Sequence, residues 1–244
     1  MRAASNTDVG RLSDLNEDRV FLDPGLGLIM LADGMGGHLG GEVASDLALS
    51  MITAVLKGDL LCMNSDASPD EISSLLIRAI KRANEQILAR VSQDPNLKGM
   101  GTTVVLALER NGDLYIAHIG DSRAYLMQNG VLRQLTRDHS LVAEMLNAGE
   151  ISPRELRNHH LRNYLTRSLG QQNPQAEVQT TSWDHGDYLL LCSDGLTTMI
   201  DDREIETLLT RYSADLGRVC RELIDAANSR GGKDNITVAL ASPE

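Results

Sequence analysis

Residues 102–135 read TTVVLALERNGDLYIAHIGDSRAYLMQNGVLRQL. Four short apolar runs, Thr102–Leu108, Asp113–Ile119, Ser122–Met127 and Val131–Leu135, are expected strands. Asn111-Gly112 and Asn129-Gly130 break the series, and Asn-Gly favours the positive φ angles of a tight hairpin turn. Such a series predicts an antiparallel meander and disfavours the parallel sheet of an alternating strand–helix chain.

Upstream, Val20–Leu22 and Leu26–Ala32 flank Asp23-Pro24-Gly25 and read as strand, turn, strand. The second run is almost continuously apolar, as expected of a strand covered on both faces. From Val43 to Leu56 apolar residues recur at helical spacing. Ser68, Pro69 and Glu71 mark the start of a second helix, whose apolar stripe runs from Ile72 to Val91.

Downstream, Asp138–Leu169 is a polar excursion with a helical patch at Leu141–Leu146 and another start signal at Ser152-Pro153-Arg154-Glu155. Strands resume near Val178–Thr181 and Tyr188–Ser193. Helices follow at about Arg203–Leu209 and Leu216–Ala227, and Ile236–Ala241 is the last strand. The expectation is one domain over residues 1–244, α+β in class, with two sheets inside and helices outside.

Hydrophobic residues make up 42% of the chain but aromatics only 3%, so the core must be aliphatic. With 23 basic and 34 acidic side chains the net charge is −11, which argues against binding a nucleic-acid backbone. Cys62, Cys192 and Cys220 are odd in number and far apart, so no disulfide framework is expected. With no membrane-spanning run, the reading is a cytoplasmic monomer.

The aspartates fall at strand ends. Asp33 closes LIMLAD, Asp194 closes LLLCSD, Asp121 lies between two strands, Asp234 precedes the last strand, and Asn16-Glu17-Asp18 precedes the first apolar one. One Asp-Gly is usually a turn. A collection brought together would repel unless a cation neutralised it, and hard oxygen donors suit Mg²⁺ or Mn²⁺.

The ordered motifs RLSDLNEDR, ADGMGGHLGG, MGTTVV, HIGDSRAY, LTRDHS, LLLCSDGL and GGKDNITV resemble the bacterial PPM-type (protein phosphatase 2C) family from about Val9 to Ala241. The resemblance implies a four-layer αββα fold: a central sandwich of two antiparallel sheets flanked by helix pairs, with a flap at about 139–169. It implies hydrolysis of phosphoserine or phosphothreonine in proteins by a metal-activated water, opposing a cognate bacterial Ser/Thr kinase. Two core ions, Mn²⁺ or Mg²⁺, would be joined by a third.

Carried over by position, Asp33 bridges two ions and the Gly34 carbonyl is a further ligand. Asp194 and Asp234 complete one ion's set, and Asp18 binds directly or through water. Asp121 with Asp194 holds the third ion. Glu17 is an acceptor behind the ligands or a ligand itself, and Asn235 orients its neighbours. His38, in the glycine-rich loop, is the candidate general acid for the departing alkoxide; a structural hydrogen bond is its alternative.

One position departs from the family. Ser13 stands where an arginine usually binds the substrate phosphate. Arg11, two residues earlier, would point to the same side of an extended strand and could replace it. The missing guanidinium keeps open a different class of function, a non-catalytic phosphoprotein-binding module with the same fold.

Overall fold

The first strand is one that the sequence conceals. Arg2–Asp8 (β1) reads RAASNTD, without apolar alternation, yet it pairs along its whole length with the C-terminal strand, from Arg2 opposite Ser242 to Asp8 opposite Ile236. The computed structural model describes residues 1–36, 40–63, 67–152, 155 and 159–243. The further strands are β2 (Arg19–Asp23), β3 (Leu28–Ala32), β4 (Gly34–Met35), β5 (Gly101–Thr102), β6 (Val104–Arg110), β7 (Asp113–Ile119) and β8 (Arg123–Gln128). They continue as β9 (Val131–Gln134), β10 (Glu177–Ser182), β11 (Tyr188–Cys192) and β12 (Ile236–Ser242).

The strands form two five-stranded antiparallel sheets, ordered β1-β12-β11-β8-β9 and β10-β7-β6-β3-β2, with β4 and β5 as a small separate pair. Side-chain parity sorts the core. Along β3, Ile29 and Leu31 meet Leu189 and Leu191 of β11 between the sheets, whereas Leu28, Met30 and Ala32 face outward. That outer face is covered by α1 (Gly40–Cys62) and α2 (Pro69–Gln93), which contribute Ile52, Leu56, Leu76 and Ile80. The capping box at Ser68 and Glu71 is present as expected.

In the excursion, α3 (Leu141–Asn147) is capped by Ser140. A single-turn helix, α4 (Asp194–Thr197), begins directly after β11. The first sheet is covered in turn by α5 (Asp202–Tyr212) and α6 (Leu216–Ser229), through Ile205, Leu209, Val219 and Leu223. The layers are therefore helix, sheet, sheet, helix.

The meander expected from residues 102–135 is corrected. β6 pairs with β7 and β8 with β9, but β7 and β8 lie in different sheets. The chain crosses between layers at Gly120–Ser122. Gly120 has φ +107° there, and a side chain would meet Thr103 at 2.5 Å, so the crossing requires glycine. The hairpin signal at Asn129-Gly130 is sound, but nothing at Gly120 distinguished a crossing from a turn.

Candidate metal centre

The crossing carries Asp121 to the edge where both sheets end. From the second sheet come Asp18, just before β2, and Asp33, just after β3. From the first come Asp194, opening α4, and Asp234, two residues before β12. A cleft of about 280 Å³ opens between them, lined by Glu17, Asp33, Gly34, Asp121, Asp194 and Asp234 among others. Asp18 is buried; Asp33, Asp121 and Asp194 are half-buried; Asp234 is exposed at the rim.

Hydroxyls hold the acids in place. Ser193 Oγ donates to Asp18 Oδ2 at 2.8 Å and accepts from the Thr237 amide at 2.9 Å. The Asp33 amide donates to Thr103 Oγ1 at 3.0 Å, and Thr102 Oγ1 donates to the Asp33 carbonyl at 2.8 Å. Thr103 Oγ1 also lies 2.7 Å from Ser122 Oγ. Gly34 must be glycine because a Cβ would strike the Gly41 carbonyl and lie 2.7 Å from the Glu17 carbonyl. None of Thr102, Thr103, Ser122, Ser193 or Thr237 was marked as functional by the sequence reading. Ser122, Ser193 and Thr237 lie inside the acidic motifs HIGDSRAY, LLLCSDGL and GGKDNITV, and Thr102 and Thr103 lie inside MGTTVV, which is the signal that was present.

The electrostatics are those of anions held close together. Burial pushes Asp18 up to about 7, helped by Asp194 and Asp234 and opposed by hydroxyls of Thr237 and Ser193. Asp33 is raised well above the carboxylate range by withdrawal from water and then by Asp18, Asp194, Asp121 and Asp234. Asp121 is raised similarly, first by burial and next by Asp194. Asp194 rises to about 6 by burial and the Asp234 charge, while Arg123 and a hydrogen bond from Asp33 pull it down. Asp18 Oδ1 is buried with no hydrogen-bond partner. A buried acceptor left unmatched is costly, and an all-oxygen donor set beside it fits a hard divalent cation.

Residues 11–240 match the family model for protein phosphatase 2C. The chain belongs to the protein phosphatase 2C family. It is 42% identical to the serine/threonine phosphatase stp of Listeria monocytogenes over 98% of this chain and 95% of that one. The solved serine/threonine phosphatase PstP/Ppp of Mycobacterium tuberculosis is 35% identical, with a TM-score of 0.89 over 100% of this chain and 98% of that one. A structure of the PstP catalytic domain in complex with two manganese ions matches at 34% identity and TM-score 0.86, over 99% of this chain and 97% of that one. This protein is accordingly a metal-dependent serine/threonine protein phosphatase.

Around the phosphatase cleft, Glu17 Oε1 accepts from the Gly41 amide at the start of α1 at 3.1 Å. Asn235 binds the loop before β2 from both ends of its amide. Its Oδ1 accepts from the Glu17 amide at 2.8 Å, and its Nδ2 donates to the carbonyls of Val9 and Leu15, each at 2.9 Å. The expectation for Arg11 is corrected: residues 10–12 form a turn, not an extended strand, so Arg11 and Ser13 do not share a side by alternation. The Arg11 amide is tied to the Gly232 carbonyl at 2.7 Å, and its side chain is not among those lining the cleft. His38 lies outside the described residues.

A second group of potential ligands, His118, His139 and Glu177, has its donor atoms within 4.8 Å of one another. Their hydrogen bonds are already assigned. His139 Nδ1 accepts from the Gly120 amide, leaving Nε2–H to donate to Glu177 Oε1 at 3.1 Å. His118 Nε2–H donates to the Arg137 carbonyl at 2.9 Å. Arg167 supplies the cation, 2.9 Å from Glu177 Oε1. The two rings stack at 4.6 Å where the polar excursion leaves and rejoins the sheets, and there the Thr166 amide donates to the His139 carbonyl.

Proposed function

We propose that Asp18, Asp33, the Gly34 carbonyl, Asp194 and Asp234 hold two divalent cations, Mn²⁺ or Mg²⁺, and that Asp121 with Asp194 holds a third. The observation that carries this reading is the orphaned Asp18 Oδ1 buried beside carboxylates that raise one another. When bound, the ions supply Lewis acidity that lowers the pKa of a coordinated water and offsets charge on the phosphoryl oxygens.

The protein's own part is positioning and proton management. Ser193 and Thr237 keep Asp18 turned inward, and Thr102 and Thr103 fix the main chain of Asp33. Asp33, raised well above the carboxylate range, gives up the proton it directs toward Asp194 when a cation is bound between them. His38 protonates the departing serine or threonine oxygen, since an alkoxide leaves poorly. Glu17 and Asn235 brace the loop that carries Asp18.

The substrate class is a protein phosphorylated on serine or threonine by a cognate kinase, acted on by a monomeric, single-domain cytoplasmic enzyme. Among the described residues no helix is long and apolar enough to cross a membrane. Phosphate release from a phosphothreonine peptide, with and without Mn²⁺, in wild type and Asp194→Asn tests the reading. Manganese-dependent release abolished by the substitution supports it. Release that survives Asp194→Asn overturns the metal assignment.

A further inference from the structure

A second cavity opens beside the metal cleft beneath the flap. The two share Asp121, Asn163 and Asp194 as common wall, so what enters one lies against what enters the other. The second is about 120 Å³. A dry cavity of about 150 Å³ accepts a benzene molecule, so this volume suits an isopropyl or isobutyl group.

The walls specify the chemistry. Val142 of α3 and Ile200 are buried, and Met199 completes an apolar end. Arg123 stands on the polar side but is matched within the fold. Its Nε lies 2.9 and 3.2 Å from the two Asp138 oxygens, its Nη2 is 2.7 Å from Oδ2, and its Nη1 donates to Tyr125 Oη at 2.9 Å. Arg162 Nε donates to Asn163 Oδ1 at 3.2 Å. With Arg123 and Asp138 matched to each other, an acidic group entering here would still meet Asp121 and Asp194, and a basic one would meet Arg162. An uncharged branched side chain avoids both penalties.

The metal cleft itself has no lysine or arginine among its described lining residues. The usual guanidinium position is Ser13, so among the described residues no side-chain cation joins the metal ions in holding the phosphate.

We propose that the cavity is a specificity subsite for the residue flanking the phosphorylated one, and that it takes Val, Leu or Ile. This rests on the cleft being the phosphoryl site. The test uses Mn²⁺-loaded enzyme and phosphothreonine peptides carrying Val, Gly or Asp at each flanking position. kcat/KM is read on the phosphopeptides, and Kd by fluorescence anisotropy on their non-hydrolysable phosphonate counterparts. Val should exceed Gly by at least about 10-fold at one position, as filling an apolar pocket typically gives.

Thr198, an exposed residue of the cavity wall, allows it to be filled from outside. Thr198→Trp should reduce the Val/Gly ratio to within about twofold, and Val142→Ala should move the preference from Val toward Leu. Equal values for Val and Gly at every position, or a ratio unmoved by both substitutions, overturns the subsite while phosphate release leaves the hydrolytic reading standing. A Kd ratio that responds to Thr198→Trp without phosphate release keeps the subsite and overturns the hydrolytic reading instead.

Discussion

Ser193 Oγ donates to Asp18 Oδ2 across 2.8 Å, joining residues 175 positions apart in the chain. The hydroxyl leads out of one sheet and the carboxylate leads into the other, so this bond sets how the two halves of the acidic cluster face each other.

Replacing Ser193 by Ala should therefore weaken metal binding before it harms anything else. Groups that orient metal ligands typically contribute about 10–100-fold in affinity. The Mn²⁺ dissociation constant from titration calorimetry should rise by that factor, with KM for a phosphopeptide at saturating Mn²⁺ little changed. An unaltered Mn²⁺ affinity would remove Ser193 from the positioning set.

Metal binding should be proton-linked. Asp18 and Asp194 are raised from an ordinary 3.8 to about 7 and about 6. The metal-free fold thus holds protons that the unfolded chain has released. Its stability from these groups is fully present below about pH 4 and is lost as pH rises through 6 to 7. Cations replace those protons, so the rise in Tm caused by Mn²⁺ should widen from pH 5 to pH 7.5. Scanning calorimetry checks this, and a gap that narrows with pH contradicts the assignment.

Restoring the family's guanidinium should tighten phosphate binding. Ser13 is half-buried, and the adjoining turn at residues 10–12 is held by the Arg11 amide at Gly232. Ser13→Arg should lower KM for a phosphothreonine peptide by about 10-fold, the scale of one charge-assisted hydrogen bond, with a smaller effect on kcat. An unchanged kcat/KM means that the cations alone suffice.

The three thiols should separate cleanly. Cys192 and Cys220 are buried, and desolvation pushes each up to about 12, whereas Cys62 is exposed. One equivalent of Ellman's reagent should react in the native protein and three in denaturant. Two fast equivalents in the native state would mean that α6 or β11 opens readily.

The legible parts of the sequence were those where local chemistry and tertiary environment agree. Leu28–Ala32 is apolar at every position because helices cover one face and the other sheet covers the opposite one. Ser68-Pro69 and Glu71 announced α2 because a capping box needs only neighbouring residues. β1 was not legible: RAASNTD forms a strand because β12 offers it a free edge, which is information held 240 positions away. The turn at Arg11 depends likewise on the Gly232 carbonyl. The acidic residues of the cleft were readable by type and place at strand ends. The hydroxyls that aim them were not, because serine and threonine occur everywhere and only geometry singles out Ser193 or Thr103.

The crossing at Gly120–Ser122 has a consequence for the life of the molecule. Because the acidic cluster draws Asp18 and Asp33 from one layer and Asp194 and Asp234 from the other, no half-made chain emerging from synthesis, and no fragment cut at the crossing, owns a complete set. Dephosphorylation is withheld until both layers have docked, so the architecture acts as its own inspector, releasing the activity only in finished copies.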